Sequence, residues 1–151
     1  MIAWKYLDKK AATIEAIKDY AAMEFIILNY ERVKSELQED MTAVRSSAPT
    51  GMPRSQNPGA GEAWLAGQID KQDMFDARYR DATEFMRWYK PGWAELSDDE
   101  RYILTEFFLG EDVRKTDAIQ NIGERLFIER SHVYRRKERA LNHLALLLYG
   151  K

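Results

Sequence analysis

The residues with the densest recognition chemistry lie in one stretch, ERSHVYRRKERAL, from Glu129 to Leu141. Arg130 and Arg135 carry planar guanidinium groups that grip a phosphate, or the acceptor edge of guanine, with two parallel hydrogen bonds. Ser131, His132 and Tyr134 suit phosphate or methyl contacts beside them. Lys137 and Arg139 lie farther along, where contacts to a phosphate backbone are expected.

Competing chemistries find less support. Ser131 and His132 are adjacent, and adjacent helix positions point in different directions, so they make no nucleophilic dyad. Asp98, Asp99 and Glu100 resemble paired carboxylates, but a helix-capping role accounts for all three. Gly59 and Gly61 are not followed by the Gly-Lys-Ser/Thr of a phosphate-binding loop. With no cysteine and two histidines, His132 and His143, none of the usual zinc sites can be assembled from those residues alone. The expectation is a protein that is not an enzyme, with no cofactor and no structural metal.

Net charge is only −2, but its distribution is uneven. From Glu95 to Asp112 seven acids face Arg101 alone, whereas from Val113 to Lys151 nine bases face four acids, a local +5. That is the footprint of a polyanion-binding segment. The longest strongly apolar run, MEFIILNY from Met23 to Tyr30, contains Glu24 and is far shorter than the roughly 20 residues a membrane span needs. The first 20 residues mix acids with lysines and lack a continuous apolar segment, so they read as neither a secretory nor a transit signal. A soluble, cytoplasmic chain without a membrane partner is the default expectation.

These groups must be positioned by helices. No glycine or proline precedes Pro49, and Ile26, Tyr30, Val33, Leu37, Met41 and Val44 follow steps of three and four, the mark of a helix with one buried stripe. Ile14, Ile17 and Ala21 belong either to the same helix, then a rod of roughly 55 Å, or to a separate shorter one. The segment SSAPTGMPRSQNPGAG alternates Pro49, Pro53 and Pro58 with Gly51, Gly59 and Gly61, and reads as a loop over 46–61. Leu65, Ile69, Phe75, Tyr79, Ala82, Met86 and Tyr89 restore helical spacing up to a stop at Lys90-Pro91-Gly92. Residues 1–94 therefore read as a long helical hairpin, and its heptad-like spacing makes homo-oligomerisation an expectation. The aromatics Trp64, Trp88, Trp93, Phe107 and Phe108 are core candidates.

Residues 95–151 change to short helices. Ser97 and Glu100 form a capping box, and the helix they start carries Ile103, Leu104, Phe107 and Phe108 inward and stops at Gly110. A second helix begins near Thr116 or Asp117, with Asp117 and Gln120 spaced as another capping pair, and buries Ile119, Ile122 and Leu126. A third begins about Arg130, buries Val133, Ala140, Leu141 and Leu144, and runs into LALLLYG. Very few residues separate the second helix from the third. Gly123 allows close approach and Ile128 plugs the gap, the arrangement of a helix-turn-helix. At i, i+1, i+4 and i+5, Arg130, Ser131, Tyr134 and Arg135 share one face, opposite Val133, Ala140 and Leu141. Without that pattern, RRKER would read only as the solvated face of a terminal helix. The fold class is all-α.

The segment AIQNIGERLFIERSHVYRRKERALNHLA resembles the fourth region of bacterial primary sigma factors. The apolar-x-x-apolar-Gly pattern falls on Ile119, Ile122 and Gly123, the pre-turn apolar residue on Leu126, the turn residue on Ile128, and the recognition-helix core on Val133, Ala140 and Leu141. Over the whole chain the layout is similar to that of phage ArpU/RinA-type late transcription regulators. The resemblance implies a double-stranded DNA partner and places the contacting positions on Arg130, Ser131, Tyr134 and Arg135. By analogy it also implies a contact with RNA polymerase through the acidic helix or the hairpin. Three positions depart from the sigma pattern: Glu129 stands where the cap is Ser or Thr, Arg136 where the residue is apolar, and Ala118 where a cap is expected. The expected function is a phage or mobile-element transcription regulator that reads the major groove. The alternatives are a small terminase-like packaging protein and a helical adaptor that binds only protein.

Overall fold

The computed structural model describes residues 7–46, 59–110 and 114–150. Among them are five α-helices and no strand: α1 (Lys9–Ser46), α2 (Ala60–Glu95), α3 (Asp98–Phe108), α4 (Lys115–Leu126) and α5 (Arg130–Tyr149). The all-α expectation holds. The loop expected over 46–61 falls mostly on 47–58, outside the described residues, as does the side chain of Val44.

The first helix is single, and Asp8 caps it, its Oδ1 accepting from the Ala11 N–H at 3.1 Å. The second helix runs straight through the expected stop, with Pro91 and Gly92 both inside it. Proline there removes one backbone bond near the end of the helix, but tertiary burial outweighs the loss. Tyr89 and Leu96 on either side are buried in a core, and a Cβ on Gly92 would come within 3.1 Å of Leu148 Cδ2. The glycine is therefore a point of close helix approach rather than a terminator. The orphan Ala94 carbonyl beyond it accepts from Arg101 at 3.2 Å.

The chain forms two compact units, residues 1–23 with 85–151 and residues 24–84. The sequence-based boundary near residue 94 lies inside the first, because the N-terminal part of α1 and the C-terminal part of α2 share its core. There Ala16, Ile17, Tyr89 and Leu96 pack with Leu104 and with Ala140, Leu141, Leu144 and Leu148 of α5. Phe85 and Trp93 stack on Tyr89 at ring distances of 5.3 and 5.8 Å, and Tyr20 meets it tilted at 5.3 Å. A second cluster of Ile103, Ile119, Ile122 and Val133 joins α3, α4 and α5, with Phe107, Leu126 and Ile128 half-buried against it.

In the other unit Tyr30 is the organising side chain. Its ring stacks on Tyr79 at 3.9 Å and on Phe75 at 5.4 Å, and its hydroxyl donates to Asp76 at 2.7 Å. Lys34 donates to the same hydroxyl at 3.1 Å, and that hydrogen bond raises the lysine's pKa. Ile26, Val33, Leu37 and Met41 are half-buried along the expected stripe. Phe25, Leu28, Ile69 and Met74 stand exposed, so Ile69 does not join the buried row expected of it.

Tyr89 is fully buried and its hydroxyl has no hydrogen-bond partner. Burial pushes the phenol above its ordinary value near 10. Tyr89→Phe is expected to raise stability by about 1 kcal/mol, since it removes an unsatisfied buried polar group without opening a cavity. Because the unfolded chain ionises this phenol near pH 10 while the fold keeps it neutral, stability falls as pH rises above about 10. Urea unfolding from neutral pH to pH 11 checks both points, with the alkaline loss smaller in the variant.

Candidate nucleic-acid interface

The three C-terminal helices are set in place by their ends. Ser97 Oγ accepts from the Glu100 N–H at 3.2 Å while Glu100 Oε2 accepts from the Ser97 N–H at 3.0 Å, completing the expected capping box. Asp98 pairs with Arg101. The helix ends at Phe108 with Leu109 as its cap, the Leu109 N–H bonding to the Thr105 carbonyl.

The start of α4 differs from expectation. Its N-cap is Arg114, without a side-chain bond, and Asp117 lies inside the first turn rather than capping it. At that position the carboxylate still complements the positive end of the helix. Gln120 reaches forward to Glu124 at 2.9 Å instead of back to Asp117. Ala118, where a cap was expected, is 1% exposed and serves as packing.

The connection from α4 to α5 turns tightly around Gly123. The Phe127 and Ile128 N–H groups both bond to the Gly123 carbonyl, the latter at 3.1 Å. A Cβ on Gly123 would stand 3.1 Å from the Ile128 carbonyl oxygen, so a side chain there would require the turn to give by a few tenths of an ångström. Ile128 and Leu126 pack into the core beneath, and Phe127 between them adopts left-handed backbone, φ 54 and ψ 46. Glu129 is the N-cap of α5, with extended backbone and no side-chain cap bond.

On α5 the inward residues are Val133, Ala140, Leu141, Leu144, Ala145 and Leu148. Arg130, Ser131, His132, Tyr134, Arg135 and Arg139 are exposed. Arg130 borders an open notch of about 510 Å³ with Thr116, Gln120 and Glu124 of α4. Five residues on, Arg135 points about 140° away around the helix, so the two guanidinium groups bracket the exposed surface from opposite sides. Arg130, Arg135 and Arg139 have no ion-pair partner among the described residues.

Lys137 stands apart from the other candidate residues. It is half-buried, its ammonium 4.9 Å from the Phe107 ring centre and 5.8 Å from that of Phe108, because its wheel position lies between those of the buried Leu144 and Leu141. Arg136, at the position expected to be apolar, pairs with Asp99 at 3.7 Å beside Ile103. Glu138 pairs with Lys10, and His143 Nδ1 lies 3.0 Å from the Glu100 carboxylate. The acidic head of α3 thus engages Arg136 and His143, while Arg130, Arg135 and Arg139 keep no acidic partner among the described residues. Spacing alone did not place Lys137 over Phe107, nor the exposed Phe127 in the turn. The signal for the second was a glycine-free connection so short that one of its residues had to turn left-handed.

Among the described residues no cluster of three or more His, Cys, Asp or Glu side chains could hold a metal ion, and no helix is long and apolar enough to cross a membrane. Comparison of the chain with protein-family models, curated proteins and solved structures yields no match.

The uncapped head of α5 makes a direct prediction. Glu129→Ser supplies the missing acceptor for the first-turn N–H groups and is expected to add about 1 kcal/mol of stability. Chemical denaturation of the two proteins checks it.

Proposed function

We propose that the chain is a sequence-specific, non-enzymatic regulator that binds double-stranded DNA through a helix-turn-helix of α4 and α5, with α5 in the major groove. The observation that carries this reading is the unpaired pair Arg130 and Arg135, exposed with Ser131 and Tyr134 on a helix whose inward residues are locked into two cores. The similarity to sigma region four, and to phage late regulators of the ArpU/RinA type, supports the same assignment. In this reading the N-terminal helices form a hairpin that serves as the oligomerisation element, and Arg139 contributes a phosphate contact. His132 is a flanking contact, and Lys137 is not part of the reading surface. Asp98, Asp99 and Glu100 are already tied to Arg101, Arg136 and His143, so a polymerase contact through α3 forms no part of the proposal.

A packaging-type role is the second reading, and the exposed Phe25, Leu28, Ile69 and Met74 favour it to the extent that they favour self-association. Light scattering separates the two, since a multimer of eight or more copies supports packaging and a monomer or dimer supports regulation.

Arg130→Ala with Arg135→Ala is expected to weaken binding to a duplex selected from random sequence by about 1–3 kcal/mol per lost bidentate contact. The salt dependence of binding should also become shallower as phosphate contacts are lost. Fluorescence anisotropy across a salt series measures both. Unchanged affinity at moderate salt removes this face as the reading surface.

A further inference from the structure

Phe127 violates two ordinary preferences at once. Its backbone is left-handed, where a Cβ crowds the following carbonyl, and its side chain is 94% exposed. Glycine at this cap would relieve the strain and remove the apolar ring from water. Nothing among the described residues accounts for the ring, which belongs to neither core cluster and makes no ring–ring or cation–ring contact. Leu126 and Ile128 anchor the turn on both sides, so the ring cannot fold inward. Strain of this kind persists where the surroundings impose it, and it concentrates at functional surfaces.

We propose that Phe127 is a specificity contact of the DNA interface, packing against the C5-methyl of a thymine at the edge of the site that α5 reads. The inference rests on the DNA-binding reading of α5 and extends that surface to the turn, three residues ahead of Arg130. A phenyl ring has no donor or acceptor, and the apolar feature a major groove offers it is the thymine methyl. The carboxylates of Glu124 and Glu129, exposed on either side of the turn, disfavour phosphate as its neighbour. Arg130 then reads hydrogen-bonding edges while Phe127 reads a methyl beside them.

The test uses the full chain and a duplex selected from random sequence, in which each thymine is replaced in turn by deoxyuridine, removing only the methyl. At one thymine flanking the α5 contacts, wild type should bind the uracil duplex about fourfold more weakly. Phe127→Gly and Phe127→Asn should lose that discrimination, and both should melt at or above the wild-type temperature. The proposal is overturned if both variants bind the selected duplex as tightly as wild type. It is equally overturned if they weaken every duplex alike with the methyl preference intact at every thymine. Failure of the underlying reading looks different, because then wild type selects no duplex and Arg130→Ala with Arg135→Ala changes nothing either.

Discussion

The inward side of α5 is divided between two packing partners, and the first unit depends on that division. Val133 closes the small cluster with Ile103, Ile119 and Ile122, while Ala140, Leu141, Leu144 and Leu148 close the larger core with Ile17, Tyr89 and Leu96. Rotating the helix to improve one contact would withdraw side chains from the other. At about 0.8 kcal/mol for each methylene returned to water, even a small turn is opposed by several kcal/mol. The outward residues are thereby held in fixed directions, and a surface that is to read a rigid duplex needs that property.

Electrostatics then decides which of the outward cations stay open. The first turn of α3 is acidic because acids stabilise the start of a helix, and the same acids reach across to α5, Asp99 to Arg136 and Glu100 to His143. Exposed pairs of this kind add little stability individually. Their consequence is selective occupancy, with Arg136 and His143 engaged by α3 and Arg130, Arg135 and Arg139 left without an acidic partner among the described residues. The +5 balance of the last 39 residues therefore overstates the open charge near the turn, where Glu124 and Glu129 also lie.

The turn between α4 and α5 holds two residues of opposite character. Gly123 is where a side chain would be crowded, because the Ile128 carbonyl lies close against it. Phe127 is where a side chain has all the room but the backbone conformation suits glycine. Packing alone accounts for the first and leaves the second unexplained, which is why Phe127 reads as a feature of the outer surface.

Much of this was legible in order. The all-helical class, the capping box at Ser97, the start of α5 at Arg130 and the burial of Val133, Ala140 and Leu141 all follow from periodicity and caps, which express what a residue does with neighbours three or four positions away. The stripe through Tyr30 was legible for the same reason. The continuation of α2 through Pro91 and Gly92 was not, since local propensity argues for a stop and only burial of Tyr89 and Leu96 beside Leu148 overrides it. Lys137 over Phe107 and Asp117 inside α4 rather than capping it were hidden likewise. Local pattern determined which helices form and which residues carry recognition chemistry. Tertiary packing decided which of those residues remain open to a partner, because exposure, pairing and close approach depend on residues distant in the chain.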